Sequence, residues 1–405
     1  MNKQNNTPAL RFPEFTGEWE MKKLGEVAEI KTGNTPSTII AEYYNGNKLF
    51  VSPADLQGNR FVINTKTTLT ELGFSTGRKI KKGSVLFVCI GSTIGKVGIT
   101  NEECLTNQQI NSLDANTENE NRFIYTLLEK NGTEIKLLAG VQAVPQINKT
   151  DFSNLSFSFP TLSEQTKIAN FLTAVDEKLQ GLKKKKALLE VYKKGVMQRL
   201  FAQTLRFKDE NGKAFAEWEV RKLGEVAKRI ITKNKINNAN VMTISAQFGL
   251  ISQLEFFNKS VSAKDVTGYY LLNKDDFAYN KSYSNGYPMG AIKRLNRYDM
   301  GVVSTLYICF KFNIGINLSF MEQYFEMGLQ NTEIEKVAQE GARNHGLLNI
   351  GVFDFLNINI NLPTLAEQVK IANFLSAIDD KINQTDIQIQ KTEQWKRGLL
   401  QKMFP

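Results

Sequence analysis

The chain has 405 residues, 41% of them apolar and 23% charged, which is enough for two or three domains with real cores and excludes wholesale disorder. Its formal charge of +10 favours a polyanionic partner, although net charge bears on association rather than on fold. Three widely spaced cysteines without a CxxC pair exclude a disulfide framework and a structural zinc site; the polar N-terminus and the strand-length apolar runs lead us to expect a soluble, cytoplasmic protein without a membrane span.

The sequence repeats itself once, with a period of roughly 200 residues. Three segments return in the same order: EWEMKKLGEVAEI at 18–30 as EWEVRKLGEVAKRI at 217–230, PTLSEQTKIANFLTAVDEKL at 160–179 as PTLAEQVKIANFLSAIDDKI at 363–382, and KKGVMQRLF at 193–201 as KRGLLQKMF at 396–404. The stretches 31–158 and 231–361 show little resemblance. This pattern favours a frame with one mechanical role and two inserts with separate targets; drift after duplication is the alternative.

The first insert belongs to a compact domain that we predict over residues 1–158. Short apolar or alternating runs bounded by turn residues predict four strands and one helix, at 48–52, 61–64, 84–90, 97–100 and 121–130. Strands mixed with a helix of this length predict an α+β domain with a mixed sheet.

Residues 159–203 predict a long helix, and residues 362–405 predict its repeat. Apolar side chains follow the alternating four-three spacing of a heptad seam in both segments, at Ile168, Leu172, Val175, Leu179, Leu182, Leu189, Val196 and Leu200 and at Ile371, Leu375, Ile378, Ile382, Ile389, Leu399 and Met403. A narrow stripe of this kind needs a partner helix. The simplest partner is the other repeat, in an antiparallel coiled coil that holds the two domains apart; a helix from another subunit is the alternative.

Polar residues of these helices carry three further predictions. Ser163 or Thr364 is available near each N-cap, with Glu164 or Glu367 in the first turn. The seam is interrupted by Lys186 and Lys193 in the first helix and by Thr385, Thr392 and Lys396 in the second. The basic run at 183–186 is interpreted as a solvated face, and neutralisation of DNA phosphates is the alternative.

The second insert belongs to a domain predicted over residues 204–361. Four strands and one helix are expected in it, at 241–245, 277–279, 301–312, 355–360 and 319–329.

Four loops carry side chains of the kinds that read bases and anchor phosphates. GSTIGK at 91–96 and TNQQIN at 106–111 lie in the first insert, and NKSYSNGYPMGAIKR at 280–294 and GARNHG at 341–346 lie in the second. Amides can pair with adenine, arginine can bind guanine, and lysine can bind phosphate. The predicted DNA-binding residues are Ser92, Thr93, Lys96, Asn107, Gln108, Gln109, Lys281, Tyr283, Asn285, Tyr287, Lys293, Arg294, Arg343, Asn344 and His345.

Sequence signatures of common enzymes are missing. GSTIGK has three residues rather than four between its glycines and Val97 at the position that binds magnesium in a Walker A loop. No GxGxxG, nucleophile elbow, HExxH or aromatic Pro-Pro tetrapeptide is present, and His345 is the only histidine. We therefore predict no catalytic residues and no metal ligands.

The chain resembles the specificity (S) subunit of type I restriction–modification systems over essentially its whole length. The resemblance rests on RFPEFTGEWE at 11–20, the two EWxxxxLGEVA starts, TIGKVGI at 93–99 with NQQI at 107–110, and above all the duplicated PTLxEQxKIANFLxAxDxK helix starts. The second insert lacks the TIGK and NQQI strings.

This resemblance implies two tandem target-recognition domains separated by two long helices, each domain reading one half of a bipartite site in double-stranded DNA. It further implies that the helices set the spacing and dock two methyltransferase (M) subunits, with motor-nuclease (R) subunits joining for adenine methylation or cleavage. S-adenosylmethionine, ATP and magnesium would then belong to the partners, and this chain would need no cofactor. A stand-alone bipartite DNA-binding protein, a coiled-coil scaffold and an unrecognised nuclease or transferase are the alternatives.

Overall fold

A computed structural model describes residues 6–140, 144–245, 248–259, 265–343 and 347–405. The chain divides into two compact units, of which unit 1 comprises Met1–Lys186 with Gln384–Pro405 and unit 2 comprises Ala187–Asn383. Each unit therefore holds one globular domain, the start of the helix that follows it, and the end of the helix of the other repeat.

Unit 1 is an α+β domain. Its elements before the long helix are β1 (Glu20–Lys23), α1 (Leu24–Val27), β2 (Ala28–Thr32), β3 (Tyr44–Val51), β4 (Phe61–Val62), β5 (Thr67–Leu69), α2 (Glu71–Ser75), β6 (Val85–Val88), β7 (Val97–Thr100), β8 (Cys104–Thr106), β9 (Ile110–Ala115), α3 (Asn121–Leu137), α4 (Lys149–Ser153) and β10 (Ser156–Phe159). The long helix α5 (Leu162–Phe201) follows.

The main sheet of unit 1 has the order β2-β9-β6-β7-β4, with β4 parallel to β7 and the other neighbours antiparallel. A smaller sheet has the order β5-β3-β8, and β1 pairs with β10 in a separate ribbon. Strand β6 is buried along its whole length because α3 packs on one face and the smaller sheet's core lies on the other.

Unit 2 repeats this plan with different connections. Its elements are β11 (Glu219–Lys222), α6 (Leu223–Val226), β12 (Ala227–Arg229), β13 (Met242–Ser245), β14 (Gly249–Ser252), α7 (Gln253–Phe257), β15 (Tyr270–Asn273), β16 (Phe277–Asn280), β17 (Ala291–Arg294), β18 (Met300–Val303), β19 (Ile308–Phe312), α8 (Leu318–Glu326), α9 (Asn331–Val337), β20 (Gln339–Arg343), β21 (Leu347–Asn349), α10 (Val352–Leu356), β22 (Asn359–Leu362) and α11 (Leu365–Lys402). The main sheet has the antiparallel order β12-β19-β16-β17, which matches β2-β9-β6-β7 of unit 1.

Two predicted strands of the second domain are wrong. The run 301–312 is two strands, because the Tyr307 N–H donates to the Ser304 carbonyl at 3.1 Å in a turn, after which β18 pairs with β15 and β19 joins the main sheet. The run 355–360 begins inside the helix α10, from which the Phe355 ring stacks on Tyr279 at 4.6 Å. Only the end of the run, in β22, is a strand. Ser304 begins the turn, and its hydroxyl accepts the Leu306 N–H at 3.3 Å, but serine is a weaker turn signal than glycine or proline.

The prediction of two long antiparallel helices is confirmed within each unit. In unit 1, Asp176 of α5 binds Lys396 of α11, and Lys183 binds Glu393 at 2.8 Å. In unit 2, Lys193 of α5 binds Asp379 of α11 at 2.7 Å. Residue numbers rise along α5 as they fall along α11, and the lysines that interrupt the apolar seam are the partners in these ion pairs.

The helix starts differ from the prediction in one respect. Thr364 caps α11 by accepting the Glu367 N–H at 3.4 Å, whereas Ser163 is already the second residue of α5. Glu164 and Glu367 are 1% and 0% exposed and bind Arg11 and Arg206, so they are buried ion-pair partners as well as first-turn acids. The domain bounds predicted at 1–158, 159–203, 204–361 and 362–405 remain a prediction.

Across the described ranges, no helix is both long and apolar enough to span a bilayer.

Candidate nucleic-acid interface

Two of the predicted DNA-binding loops are the same connection in the two domains. Residues 89–96 join β6 to β7, and residues 281–290 join β16 to β17, in hairpins at equivalent positions of matching sheets. The ring of Phe87 stacks on Phe152 at 5.0 Å, as Tyr279 stacks on Phe355 at 4.6 Å, which aligns the two hairpins independently of their sequences.

In unit 1 the first hairpin lies beside the turn at 107–109. The Cys89 N–H donates to the Gln109 carbonyl at 2.8 Å, and Gln109 Nε2 donates to the Ile90 carbonyl at 3.4 Å. Asn107 Nδ2 in turn donates to Gln109 Oε1 at 2.9 Å. Both loops predicted from sequence therefore form one surface, on which Asn107 and Gln109 are partly engaged and Gln108 is exposed.

A third loop, missed by the sequence analysis, joins this surface. Thr35 Oγ1 donates to Gln108 Oε1 at 2.8 Å, and the Arg78 N–H donates to Asn34 Oδ1 at 2.7 Å. Arg78 is exposed and its Nη1 donates to the Thr32 carbonyl at 2.9 Å, which holds the guanidinium at this edge. Thr35 and Gln108 are 73 residues apart in sequence, and Asn34 and Arg78 are 44 apart, so no local pattern marks these contacts.

The remaining residues of the first hairpin differ in their surroundings. Ser92 is exposed, Thr93 is half-buried, and the Ser92 carbonyl accepts a hydrogen bond from Lys136 Nζ at 2.8 Å. Lys96 is exposed at the far end of the hairpin, where it lines a cavity with Gln57, Tyr125 and Glu129.

In unit 2 the hairpin at 281–290 lies beside β20–β21. The Leu348 N–H donates to the Lys281 carbonyl at 3.0 Å. Tyr283 is 65% exposed and Asn285 is exposed at the tip of a turn closed by the Tyr287 N–H and the Ser284 carbonyl at 2.8 Å. Strand β20 ends at Arg343, whereas Asn344 and His345 lie outside the described residues.

The other predicted cations of unit 2 are tied to acids. Lys293 Nζ binds Glu326 at 2.5 Å and also donates to the Tyr287 hydroxyl at 2.7 Å. Arg294 binds Asp275 and approaches Glu322 at 3.6 Å. Burial and the Glu326 carboxylate raise the pKa of Tyr287, so it stays a neutral phenol. These charges are largely compensated, which leaves Lys281, Tyr283 and Asn285 as the more accessible part of the predicted set.

The turn at 304–307 was also missed. It joins β18 to β19 as residues 107–109 join β8 to β9, and it carries Ser304, Thr305 and the exposed Leu306. Only the order of strands in the sheet makes the two turns equivalent.

No metal centre emerges from the described residues, among which no group of three or more His, Cys, Asp or Glu side chains could hold an ion. The three buried thiols have their pKa raised by burial, to about 12 for Cys89 and Cys309 and about 11 for Cys104, so they are unreactive.

A family model described as the type I restriction modification DNA specificity domain matches residues 16–191 and again residues 216–392. The chain belongs to this family. Its two specificity domains each contain one of the hairpins described above, and DNA specificity is their function at the level of the family.

Named relatives agree with this assignment. The chain is similar to the type I restriction enzyme MjaIX specificity subunit of Methanocaldococcus jannaschii, with 27% identity over 52% of this chain and 52% of the relative. It is also similar to the MjaVIII specificity subunit of the same organism, with 25% identity over 54% and 50%. The matched region thus spans about half the length of these curated relatives.

Two solved structures share the fold of this chain. The S subunit of a type I restriction–modification system from M. genitalium aligns with a TM-score of 0.62 over 98% of this chain and 99% of that one, at 16% identity. A chain from a structure concerned with complex assembly and conformational transition of the type I R-M system aligns with a TM-score of 0.54 at 15% identity, over 96% and 98%.

Proposed function

We propose that this chain is the specificity subunit of a type I restriction–modification complex and catalyses no reaction itself. Each globular domain reads one half of a bipartite site in double-stranded DNA. The helices α5 and α11 set the spacing of the halves and dock two methyltransferase subunits, and motor-nuclease subunits join them. S-adenosylmethionine, ATP and magnesium bind to those partners, in the cytoplasm where the chromosome lies.

One observation carries this proposal: equivalent hairpins with unrelated side chains stand on the same repeated frame. The 89–96 hairpin presents hydroxyls and a lysine beside amides, whereas the 281–290 hairpin presents an aromatic ring, an amide and a lysine. Different donor and acceptor sets distinguish different base edges. A duplicated frame with two different readers is the arrangement that a site with two unlike halves requires.

Mapping of methylated adenines is the experiment that tests the function. The chain is co-expressed with the methyltransferase subunit encoded beside it, and genomic DNA of the host is sequenced for modified adenines. We expect one motif with two defined halves around a fixed unspecified gap. Methylation by the purified complex without such a motif would contradict the two-reader proposal.

Variants of the unit 2 hairpin and of the 107–109 turn of unit 1 assign the two halves of the site to the two domains. Asn285→Ala with Tyr283→Ala should relax the bases of one half only, because those side chains belong to the unit 2 hairpin. Gln108→Ala should relax the other half, with a loss of about 1–3 kcal/mol per base contact. If either change alters both halves equally, the domains do not read independently.

The role of the helices as a ruler has its own test. Four residues inserted after Leu179, with four more after its repeat position Ile382, lengthen each helix by about 6 Å. We expect a changed gap between two unchanged half-sites. The same map from this variant, with an unaltered gap, would exclude the helices as the determinant of spacing.

A further inference from the structure

Unit 2 contains a polar cavity of about 470 Å³ between its globular domain and its helices. Four carboxylates line it, those of Glu322 and Glu326 on α8 and of Asp379 and Asp380 on α11. The three cations that line it are Lys193, Lys293 and Arg294. Negative charge is therefore in excess among the lining residues, even before Asp275, which shares Arg294, is considered.

The same position in unit 1 is filled by a buried arginine. The side chain of Arg60 is 1% exposed and binds Asp176 at 2.7 Å. Its Nη1 donates to the Arg122 carbonyl and its Nη2 to Thr126 Oγ1, both at 3.3 Å. The guanidinium lies 4.3 Å from the centre of the Tyr125 ring. Carboxylate, hydroxyl, carbonyl and aromatic face together form a complete guanidinium site.

Equivalent phenylalanines align the helices that form these two places. Phe123 of α3 contacts Trp19 and Phe404 at 5.8 and 5.4 Å, and Phe320 of α8 contacts Trp218 and Phe201 at 5.9 and 5.6 Å. Counting along the helices from this pair places Glu322 at the position of Tyr125 and Gln323 at that of Thr126. The 203-residue repeat of the frame places Asp379 at the position of Asp176.

Unit 2 has acceptors at these positions, and among its described residues no arginine binds Asp379 or Gln323 as Arg60 binds Asp176. Arg294 reaches only the edge of the site, where it lies 3.6 Å from Glu322. Asp379 binds Lys193 at 2.7 Å and accepts Gln323 Nε2 at 3.0 Å. Gln323 is 9% exposed, and its Oε1 has no hydrogen-bond partner within the described part of the chain. A buried carbonyl oxygen without a hydrogen-bond donor destabilises the fold, and a bound donor would remove that cost.

The charges that line the cavity also favour the binding of a cation. Burial raises the pKa of Glu322, and the charges of Glu326 and Asp379 raise it further, whereas Arg294 and Lys293 lower it. Lys293 binds Glu326 at 2.5 Å, and Arg294 is shared between Asp275 at 2.5 Å and Glu322 at 3.6 Å, so both cations of β17 are already engaged. Because the four lining carboxylates outnumber the three lining cations, the cavity can accept one more cation.

We propose that this cavity binds a guanidinium group supplied from outside unit 2, with Glu322, Gln323 and Asp379 as its acceptors. The guanidinium belongs either to a small organic cation or to an arginine side chain of a partner protein. Binding of a guanidinium to the free chain does not depend on the proposed DNA-reading function; only the assignment of its source to a partner arginine rests on the proposed complex.

Agmatine, a small alkylguanidinium, is the probe for the free full-length chain in calorimetric titration. We expect one molecule to bind with a Kd of about 1 mM or tighter, and the uncharged analogue butylurea to show no binding. Glu322→Gln and Gln323→Leu should each weaken agmatine at least tenfold. Glu177→Gln, which neutralises an exposed carboxylate of unit 1 at the repeat position of Asp380, should leave the affinity unchanged.

A second variant tests the site by filling it. Phe248 lines the cavity and is 51% exposed, so Phe248→Arg can supply an internal guanidinium as Arg60 does in unit 1. We expect this variant to lose agmatine binding and to gain about 2–4 °C in Tm, whereas the matched variant Phe248→Gln gains nothing.

Agmatine binding to the assembled complex distinguishes the two sources of the guanidinium. Agmatine that is excluded once the partner subunits bind indicates a partner arginine in the cavity, and agmatine that still binds indicates a small-molecule site. No binding to the free chain, or equal binding by wild type, Glu322→Gln and Gln323→Leu, would overturn the proposal. None of these outcomes bears on the methylation map, so the two proposals fail separately.

Discussion

Arg11 and Arg206 explain why both repeats keep a glutamate at the start of the long helix. Arg11 Nε and Nη2 donate to Glu164 at 2.8 and 2.7 Å, and Arg206 Nε and Nη2 donate to Glu367 at 3.1 and 2.9 Å. Both carboxylates are buried, and a buried charge is tolerated only with a well-placed partner. In each repeat, an ion pair thereby joins the arginine of the opening segment to the long helix that closes the repeat.

Removal of either arginine should destabilise one unit selectively. Arg11→Ala leaves Glu164 buried without its partner, and we expect unit 1 to lose about 3–5 kcal/mol. Arg206→Ala is the matched change in unit 2. Hydrogen exchange followed by mass spectrometry locates the loss, and an equal increase of exchange in both units after either change would contradict this expectation.

The exposed guanidinium of Arg78 gives a second prediction at the residue scale. Arg78→Ala should weaken DNA binding by unit 1 by about 1–3 kcal/mol if it contacts a base, or flatten the salt dependence of binding if it contacts a phosphate. Affinity is measured by fluorescence anisotropy over a salt series with the mapped site. Lys178→Ala, an exposed change on α5, is the control, and identical effects of the two variants would exclude a specific role for Arg78.

At the scale of elements, the first hairpin is positioned by contact of two glycines. Gly95 has a φ of +96°, and a Cβ on it would lie 2.5 Å from the Gly132 carbonyl oxygen of α3. A Cβ on Gly132 would lie 2.6 Å from the Gly95 carbonyl oxygen. The hairpin and the helix approach so closely that neither position has room for a side chain.

Gly132→Ala should therefore displace the 89–96 hairpin. Alanine normally stabilises a helix interior by about 1 kcal/mol relative to glycine, but here the clash reverses the sign. We expect lower stability of unit 1 and weaker binding of its half-site. Gly195→Ala in α5, where nothing lies within 4 Å, should instead raise stability by about 0.5–1 kcal/mol. A stabilising Gly132→Ala would show that the contact is not tight.

At the scale of the whole chain, each unit is completed by the far end of the other repeat. Phe404 is 2% exposed in the core of unit 1, against Trp19 and Phe123. Phe201 is 8% exposed in the core of unit 2, against Trp218 and Phe320. The end of the long helix of each repeat thus belongs to the core of the domain of the other repeat.

Removal of a buried side chain at the end of the C-terminal helix should accordingly destabilise the N-terminal domain. Phe404→Ala removes a buried ring and should destabilise unit 1 by about 3–5 kcal/mol, with faster hydrogen exchange in α3 and in β1 and β10. Phe201→Ala should do the same to unit 2, in α8 and in β11 and β22. If Phe404→Ala instead loosens α8, the assignment of the helix ends to the units is wrong.

The sequence by itself determined the repeat, the two long helices and the family, because these depend on local periodicity and on segments that match along the chain. The heptad spacing located α5 and α11 within a few residues, and the duplicated helix starts indicated the specificity-domain family. These signals need no knowledge of which residues meet in space.

Only the tertiary structure decided which loops correspond and which charges are available. The hairpins at 89–96 and 281–290 have no common motif, and strand order alone makes them equivalent. The sequence predicts Lys293 and Arg294 as DNA contacts, and only the fold brings Glu326 and Asp275 beside them as ion-pair partners. The partners of Glu164, Glu367 and Arg60 lie more than 100 residues away, and contacts between side chains so distant in sequence arise only when the sheets and helices pack.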